Sequence, residues 1–212
     1  MACDVTRDGD LDAAVARTVE ALGRIDVVVA NAGFGVVGRV ERLTLEDFRR
    51  QFETNVYGVL RTLYASLAAL KQSKGCFAVI GSVSGHLASP GSAPYAMSKF
   101  AVRALADTLR HELRPDGVAV TLISPGFVES ELRFVNNKGV LRAGGRDIVP
   151  SFIRMAAPTA ARKIVNAIVR RRREAVVTGH GKLLVFTQRH FPGLMSFFVR
   201  LSGFRGRREA GS

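Results

Sequence analysis

Apolar residues recur along this chain with two alternating rhythms. Short runs rich in Val and Ile, without strict alternation, stand at about 25–30, 76–81, 118–124 and 175–178. Such runs predict strands covered on both faces. Longer segments with apolar spacings of three and four predict helices at about 10–23, 44–72, 94–114 and 158–172. In the second helix Leu45, Phe48, Phe52, Val56, Leu60, Leu63, Leu67 and Leu70 make one stripe. Ala101, Leu105, Leu109 and Leu113 do so in the third, and Ala161, Ile164, Val165 and Ile168 in the fourth. Thr44-Leu-Glu-Asp47 is close to a capping box. Pro94 suits the first turn of a helix entered at Ser92, where a missing N–H costs little. Strand and helix in alternation predict an α/β fold, a parallel sheet with helices on both faces.

Two stretches break the rhythm. Residues 127–157 carry Gly139, Gly144, Gly145 and Pro150 and read as a mobile loop with short helical pieces. Residues 183–204 interleave Leu and Phe with Lys182, Arg189, Arg200 and Arg205, and Pro192-Gly193 splits them into two short amphipathic pieces. These features divide the chain into a domain at 1–182 and a basic amphipathic extension at 183–212. Charge sharpens the division. The net charge is +13, and +11 of it lies in residues 151–212, where thirteen Lys and Arg meet only Glu174 and Glu209. Leu and aromatic residues flanked by Arg suit a helix lying on an anionic membrane surface, or one packed on the domain or a second subunit. Nucleic acid is not expected, because the basic residues come without a reading motif. No apolar stretch reaches the ~18 residues of a spanning helix. Two cysteines, Cys3 and Cys76, make no disulfide framework and point to a reducing compartment such as the cytoplasm. Cys76 opens an apolar run and reads as core. The four histidines have no metal-ligand spacing, so no metal is expected.

The candidate chemistry sits in Ser92-Ala-Pro-Tyr-Ala-Met-Ser-Lys99. Tyr95 and Lys99 are four residues apart and would share a helix face. An ammonium beside a phenol favours the phenolate, and a helix N-terminus does the same. A tyrosine whose pKa is pulled toward neutrality can act as a general acid/base. Ser82 lies thirteen residues upstream in Ile80-Gly-Ser-Val-Ser-Gly85, with Ser84 as the alternative hydroxyl.

Taken in order, Asp4-Val5, Asn31-Ala32-Gly33, Asn55, Ser82, Tyr95-x-x-x-Lys99 and Pro125-Gly126 resemble the motif series of the short-chain dehydrogenase/reductase family. The similarity runs from about residue 3 to about residue 180. The resemblance implies a Rossmann-like, doubly wound parallel sheet. It implies hydride transfer between a nicotinamide cofactor, NAD or NADP, and a carbonyl or secondary alcohol. Tyr95 would give or take the proton, Ser82 would position the reacting oxygen, Lys99 would lower the Tyr95 pKa and bind ribose hydroxyls, and Asn55 would hold a water leading from Lys99 to solvent. Asp4 and Val5 would contact adenine. Asn31, Ala32 and Gly33 would line the cofactor, and Pro125, Gly126 and Val128 would close over the nicotinamide. Ser130 stands where the family usually has Thr. A small-molecule substrate and a homo-oligomer paired through the 44–72 and 94–114 helices are implied too. The many apolar residues of 127–157, among them Phe127, Leu132, Phe134, Ile148 and Phe152, suggest a hydrophobic substrate, or else core or dimer contacts.

One family part is missing. No Thr-Gly-x-x-x-Gly-x-Gly turn precedes Asp4-Val5, which looks like the end of the family's third strand. The chain is therefore expected to lack the first two βα units, with Met1 an internal methionine or the gene product partial. The 25–30 strand would then keep a bare edge. Gly33-Phe-Gly35-Val-Val-Gly38 matches a dinucleotide fingerprint, but the nearest helix start is at Thr44, so it is a weak substitute for a phosphate cradle. Two functional readings stay open: an oxidoreductase, or a catalytically silent fragment that acts by association with a partner subunit or a membrane.

Overall fold

A computed structural model describes residues 2–130, 135–140 and 149–201. Among the described residues four strands, β1 (Val27–Ala30), β2 (Cys76–Ile80), β3 (Ala119–Ser124) and β4 (Glu174–Val176), pair in parallel in the order β1-β2-β3-β4. Val27 stands opposite Cys76, Cys76 opposite Ala119, and Leu122 opposite Glu174. Strand side chains alternate between two apolar layers, as a sheet covered on both faces requires. Phe77, Val79, Val120 and Leu122 face helices α1 (Asp10–Leu22), α3 (Gly58–Ser73) and α4 (Ala93–Glu112). Cys76, Ala78 and Ile123 face α5 (Ala157–Val169). Cys76 is core, as expected, and burial raises its thiol pKa.

The expected 44–72 helix is three pieces: α2 (Leu45–Phe52), a π turn at Glu53–Tyr57, and α3. Thr44 and Asp47 form the capping box reciprocally. Within the π turn the Gly58 N–H reaches back five residues to the Glu53 carbonyl, and Asn55 is buried. The turn accommodates Asn55 because its amide leaves the helix face to bind another segment. Leu63 and Leu70 of the expected stripe are buried, whereas Leu45 is exposed.

Other expectations shift. Asp4-Val5 is not strand but a turn into α1, where the Asp4 carboxylate accepts the Thr6 amide at 2.9 Å and the Thr6 hydroxyl at 2.7 Å. α5 buries Ala160, Ala167 and Ile168 rather than Ala161 and Val165, which point outward. That helix starts at Ala157, and its inner face is rotated by one position. β1 has no partner but β2 among the described residues, and Val27 and Val29 are 46% and 43% exposed. The run Arg170–Arg173 is partly a fastening, since Arg171 donates to the Lys74 carbonyl at 2.7 Å and Arg173 reaches Asp107 at 3.3 Å. Segment 127–129 is tied to Met155: its amide donates to the Phe127 carbonyl at 2.9 Å, and the Glu129 amide donates to the Met155 carbonyl at 3.0 Å. Leu132, Phe134, Ile148, Phe204 and Arg205 lie outside the described residues. The expected boundary at 182 falls inside α6 (Gly179–His190), which is followed by α7 (Pro192–Leu201). No helix among the described residues is long and apolar enough to cross a membrane.

The close approach that organises the sheet's C-terminal end is Gly85 against α4. A Cβ there would sit 2.7 Å from the Lys99 carbonyl oxygen, which is backbone and cannot turn away. Gly85→Ala should cost about 1–3 kcal/mol in denaturant unfolding. Gly179→Ala, where an added Cβ meets nothing within 4 Å, should stay within about 0.5 kcal/mol of the parent.

Candidate active site

Three elements converge beyond the C-terminal end of β2. Strand β2 delivers Gly81-Ser82 into a short 3-10 turn, Val83–Gly85. Helix α4 brings Tyr95 in its first turn and Lys99 one turn later. The Ser82 hydroxyl neighbours the Tyr95 phenol, whose pKa it lowers, and accepts the Ser84 amide at 3.1 Å. Lys99 Nζ donates to the Ile80 carbonyl at 2.8 Å and lies 5.8 Å from the centre of the Tyr95 ring. Gly35 backs that ring: a Cβ there would stand 3.5 Å from Tyr95 Cδ2. Ser82, Tyr95 and Lys99 thus form one cluster, and Ser82 rather than Ser84 meets the phenol.

The electrostatics differ from the sequence expectation. Burial raises the Tyr95 pKa above its ordinary value, and the Ser82 hydroxyl only partly opposes this. The Lys99 ammonium is turned to the Ile80 carbonyl and stands 5.8 Å from the ring centre. Burial also depresses Lys99, to about 8 from 10.5. Below pH 8 the folded state therefore holds a desolvated ammonium, at a cost on the order of 3 kcal/mol. The unfolded chain binds more protons between pH 8 and 10.5, so this cost is relieved as pH rises through that window.

The Asn55 side chain is bonded within the protein. Its Oδ1 accepts the Phe34 amide at 3.1 Å, and its Nδ2 donates to the Phe34 carbonyl and to Ser98 Oγ, each at 3.1 Å. These side-chain bonds go to the loop after β1 and to α4, so Asn55 fastens one to the other. Gln51, one turn earlier and fully buried, completes the grip. It accepts the Val36 amide at 2.6 Å and donates to the Phe34 carbonyl at 2.8 Å. Sequence reasoning missed Gln51, although a Gln and an Asn four residues apart beside an apolar stripe were a legible signal. Beyond it, the Val37 amide donates to Asn137 Oδ1 at 3.0 Å and the Gly38 amide to the Gly91 carbonyl at 2.9 Å. The amides of Phe34, Val36, Val37 and Gly38 are thus spent within the protein. The glycine pattern 33–38 is a clamped loop, not a phosphate cradle.

The remaining expected contacts fall into groups. Asp4, Val5, Ala32 and Gly33 line one open cleft of about 790 Å³, together with Arg49, Arg50 and Lys138. Asn31 lies beside it in sequence, at the end of β1. Pro125 accepts the Val83 amide at 2.9 Å, tying the strap after β3 to the Ser82 turn. Val128 packs into the α5 layer with Met155, and Ser130 is exposed. Two residues missed from sequence hold the strap. Gly126 lies against Thr178 Oγ1 and His180 Nε2 so closely that no Cβ fits. The Phe127 amide donates to His180 Nε2 at 3.0 Å, and the two rings stack at 5.4 Å. Burial lowers the His180 pKa, in keeping with a neutral ring that accepts at Nε2. Behind the Ser82 turn, buried His86 places Nε2 3.0 Å from Ser124 Oγ and 3.2 Å from Glu174. Burial, then Arg103, lower its pKa.

Comparison with known proteins matches this geometry to a family. Residues 1–140 fit the family model described as short chain dehydrogenase. A mitochondrial D-beta-hydroxybutyrate dehydrogenase of Rattus norvegicus is 38% identical over 99 residues, 47% of this chain and 29% of that enzyme. Dehydrogenase/reductase SDR family member 7B of Mus musculus is 29% identical over 210 residues, 97% of this chain and 64% of that protein. The chain thus spans less than two thirds of the length of these curated relatives. An alcohol dehydrogenase from the archaeon Thermococcus sibiricus, solved with 5-hydroxy-NADP, superposes with a TM-score of 0.67 at 28% identity, covering 83% of this chain and 72% of that one. A short chain dehydrogenase from Burkholderia cenocepacia J2315, solved with NADP, shares the fold at a TM-score of 0.78 and 21% identity, over 92% of this chain and 76% of that one. A family match across about two thirds of its length, on a parallel sheet of the same architecture, makes this chain a member of the short-chain dehydrogenase/reductase family.

Proposed function

We propose that this chain is an NAD(P)-dependent oxidoreductase acting on a carbonyl or secondary alcohol of a hydrophobic substrate. The observation that carries the reading is the Ser82 hydroxyl next to the Tyr95 phenol, beside a buried Lys99. The residues present fit a nicotinamide cofactor at two places. Lys99, Gly126 and the Pro125 strap surround the Ser82 turn, and Asp4, Val5, Ala32 and Gly33 share the open cleft. Asn31 continues that wall. When bound, the nicotinamide supplies or accepts the hydride.

The chain's own groups then have distinct tasks. Ser82 Oγ hydrogen-bonds the substrate oxygen and fixes it beside the phenol. Tyr95, kept protonated by burial, donates its proton to that oxygen as a carbonyl becomes an alcohol. The protonated phenol is the form that donates, and the same group takes the proton back when an alcohol is oxidised. Lys99 supplies positive charge next to the ring and a donor for hydroxyl groups of the cofactor. Asn55 holds the loop against α4 and is a positioning residue. Exposed Phe127 and Phe152, the latter 86% exposed, support an apolar substrate. Exposed Tyr57 and Tyr64 on the π turn and α3, with Met97 and Phe100 on α4, support a homo-oligomer paired through those helices.

A second reading, association without turnover, draws on the spent amides of the 33–38 loop. The cofactor's pyrophosphate gains no donor from the Phe34, Val36, Val37 and Gly38 amides. NADPH fluorescence titration separates the two readings: saturable binding supports the oxidoreductase, and its absence at millimolar cofactor supports the silent alternative.

Tyr95→Phe should lower the rate of NADPH-dependent reduction of an apolar aldehyde by about 100-fold or more, with an unchanged melting temperature. An unchanged rate would remove Tyr95 from the mechanism. Lys99→Met should abolish turnover and yet raise stability near neutral pH, by up to about 3 kcal/mol. Its advantage should shrink between pH 8 and 10.5, where the parent sheds its buried charge. In the parent, the reduction rate should fall as pH rises through about 8 with loss of the Lys99 charge. A rate that climbs with pH in that range would instead point to Tyr95 acting as phenolate.

A further inference from the structure

The last two helices leave the domain with an apolar face turned outward. In α7, Met195 is buried and Val199 half-buried, four residues apart, so that side meets the protein. Leu194, Phe197, Phe198 and Leu201 recur at three, four and seven on the opposite side and are all exposed. In α6, Gly181 and Val185 are buried against the domain, while Leu183 and Phe186 point away. Phe186 and Phe191, with ring centres 6.3 Å apart, join the two exposed rows at the bend. Leu183 is 66% and Phe197 53% exposed, which is unusual for large apolar residues massed together.

The flanking charge selects the occupant. Lys182, Arg189 and Arg200 are exposed on the same two helices, and no Asp or Glu occurs anywhere from 175 to 201. A second copy paired through the same face would bring six of these cations together without a carboxylate from this segment, and like charges at an interface repel. An anionic lipid surface answers both features at once. Phe and Leu enter the acyl boundary while Lys and Arg meet headgroup charge. Helices of 12 and 10 residues are too short to span.

We infer that the outward face of the α6–α7 hairpin docks on an anionic membrane surface, lying in its plane. The inference goes beyond the oxidoreductase reading and does not depend on it. The hairpin is not loosely hung. α6 packs on β4 and on the Ser82 turn, and its first turn carries the His180 that holds the Phe127 strap. A docked hairpin therefore sets the candidate site close to the lipid.

Vesicle flotation with the full chain tests this. The protein should float with phosphatidylcholine vesicles carrying about 30% phosphatidylglycerol, and stay behind with phosphatidylcholine alone. Raising salt from about 0.05 to about 0.5 M should weaken binding several-fold. Phe197→Glu should reduce binding at least about 10-fold with an unaltered circular dichroism spectrum. Should that variant misfold, the pair Lys182→Gln with Arg189→Gln, both at exposed positions, should lose the salt-sensitive part alone. Equal flotation with neutral vesicles overturns the inference. So does a chain that ignores all vesicles, whether it is monomeric by light scattering or a dimer that Phe197→Glu dissociates, the latter naming a second copy as the occupant.

Discussion

The site depends on one close backbone approach. The turn after β2 passes α4 with Gly85 directly against the Lys99 carbonyl. At that separation Ser82 meets the Tyr95 phenol and the Lys99 side chain is walled in beside the Ile80 carbonyl. A methyl group at 85 would push the two elements apart and open the cluster. The same packing shields both ionisable groups from water, with Lys99 buried and Tyr95 half-buried. Each is biased toward its neutral form, the phenol upward and the ammonium downward. Proximity and desolvation are thus two consequences of one contact.

A second tier of hydrogen bonds holds the walls. Gln51 and Asn55 grip the main chain of the loop after β1, and the π turn exists because Asn55 is drawn inward. His180 and Thr178 press on the strap after β3. These polar groups are buried or half-buried and bonded to backbone, the arrangement in which losing a partner is costly. They explain how four short strands keep loops from three of their ends aligned on one cluster.

Much of this was legible in the residues. The Val- and Ile-rich runs marked all four strands, because parallel strands covered on both faces lack polar alternation. The capping box at Thr44 and the helix entry at Ser92 fell where the spacing placed them. Tyr95, Lys99 and Ser82 were picked out by residue type and offset, and they meet in space. What failed to show depends on tertiary contact. The π turn is invisible to a 3.6-residue period, because one inserted residue resets the phase. The rotated face of α5 turns on where that helix begins. The packing of Val128 against the α5 layer is likewise not written in its spacing. The sign of the Tyr95 shift also escaped. The sequence places a cation one turn away, yet cannot say that the cation turns to a carbonyl while the ring is desolvated.

The central claim is that Tyr95 is a protonated donor held by burial, not a phenolate held by Lys99. NMR titration of the chain with ¹³C at the tyrosine Cζ positions measures this directly, with the Tyr95 signal assigned by its loss in Tyr95→Phe. The account predicts no ionisation of that signal until the pH passes the ordinary phenol value of 10. A Tyr95 resonance that titrates near neutrality would contradict it.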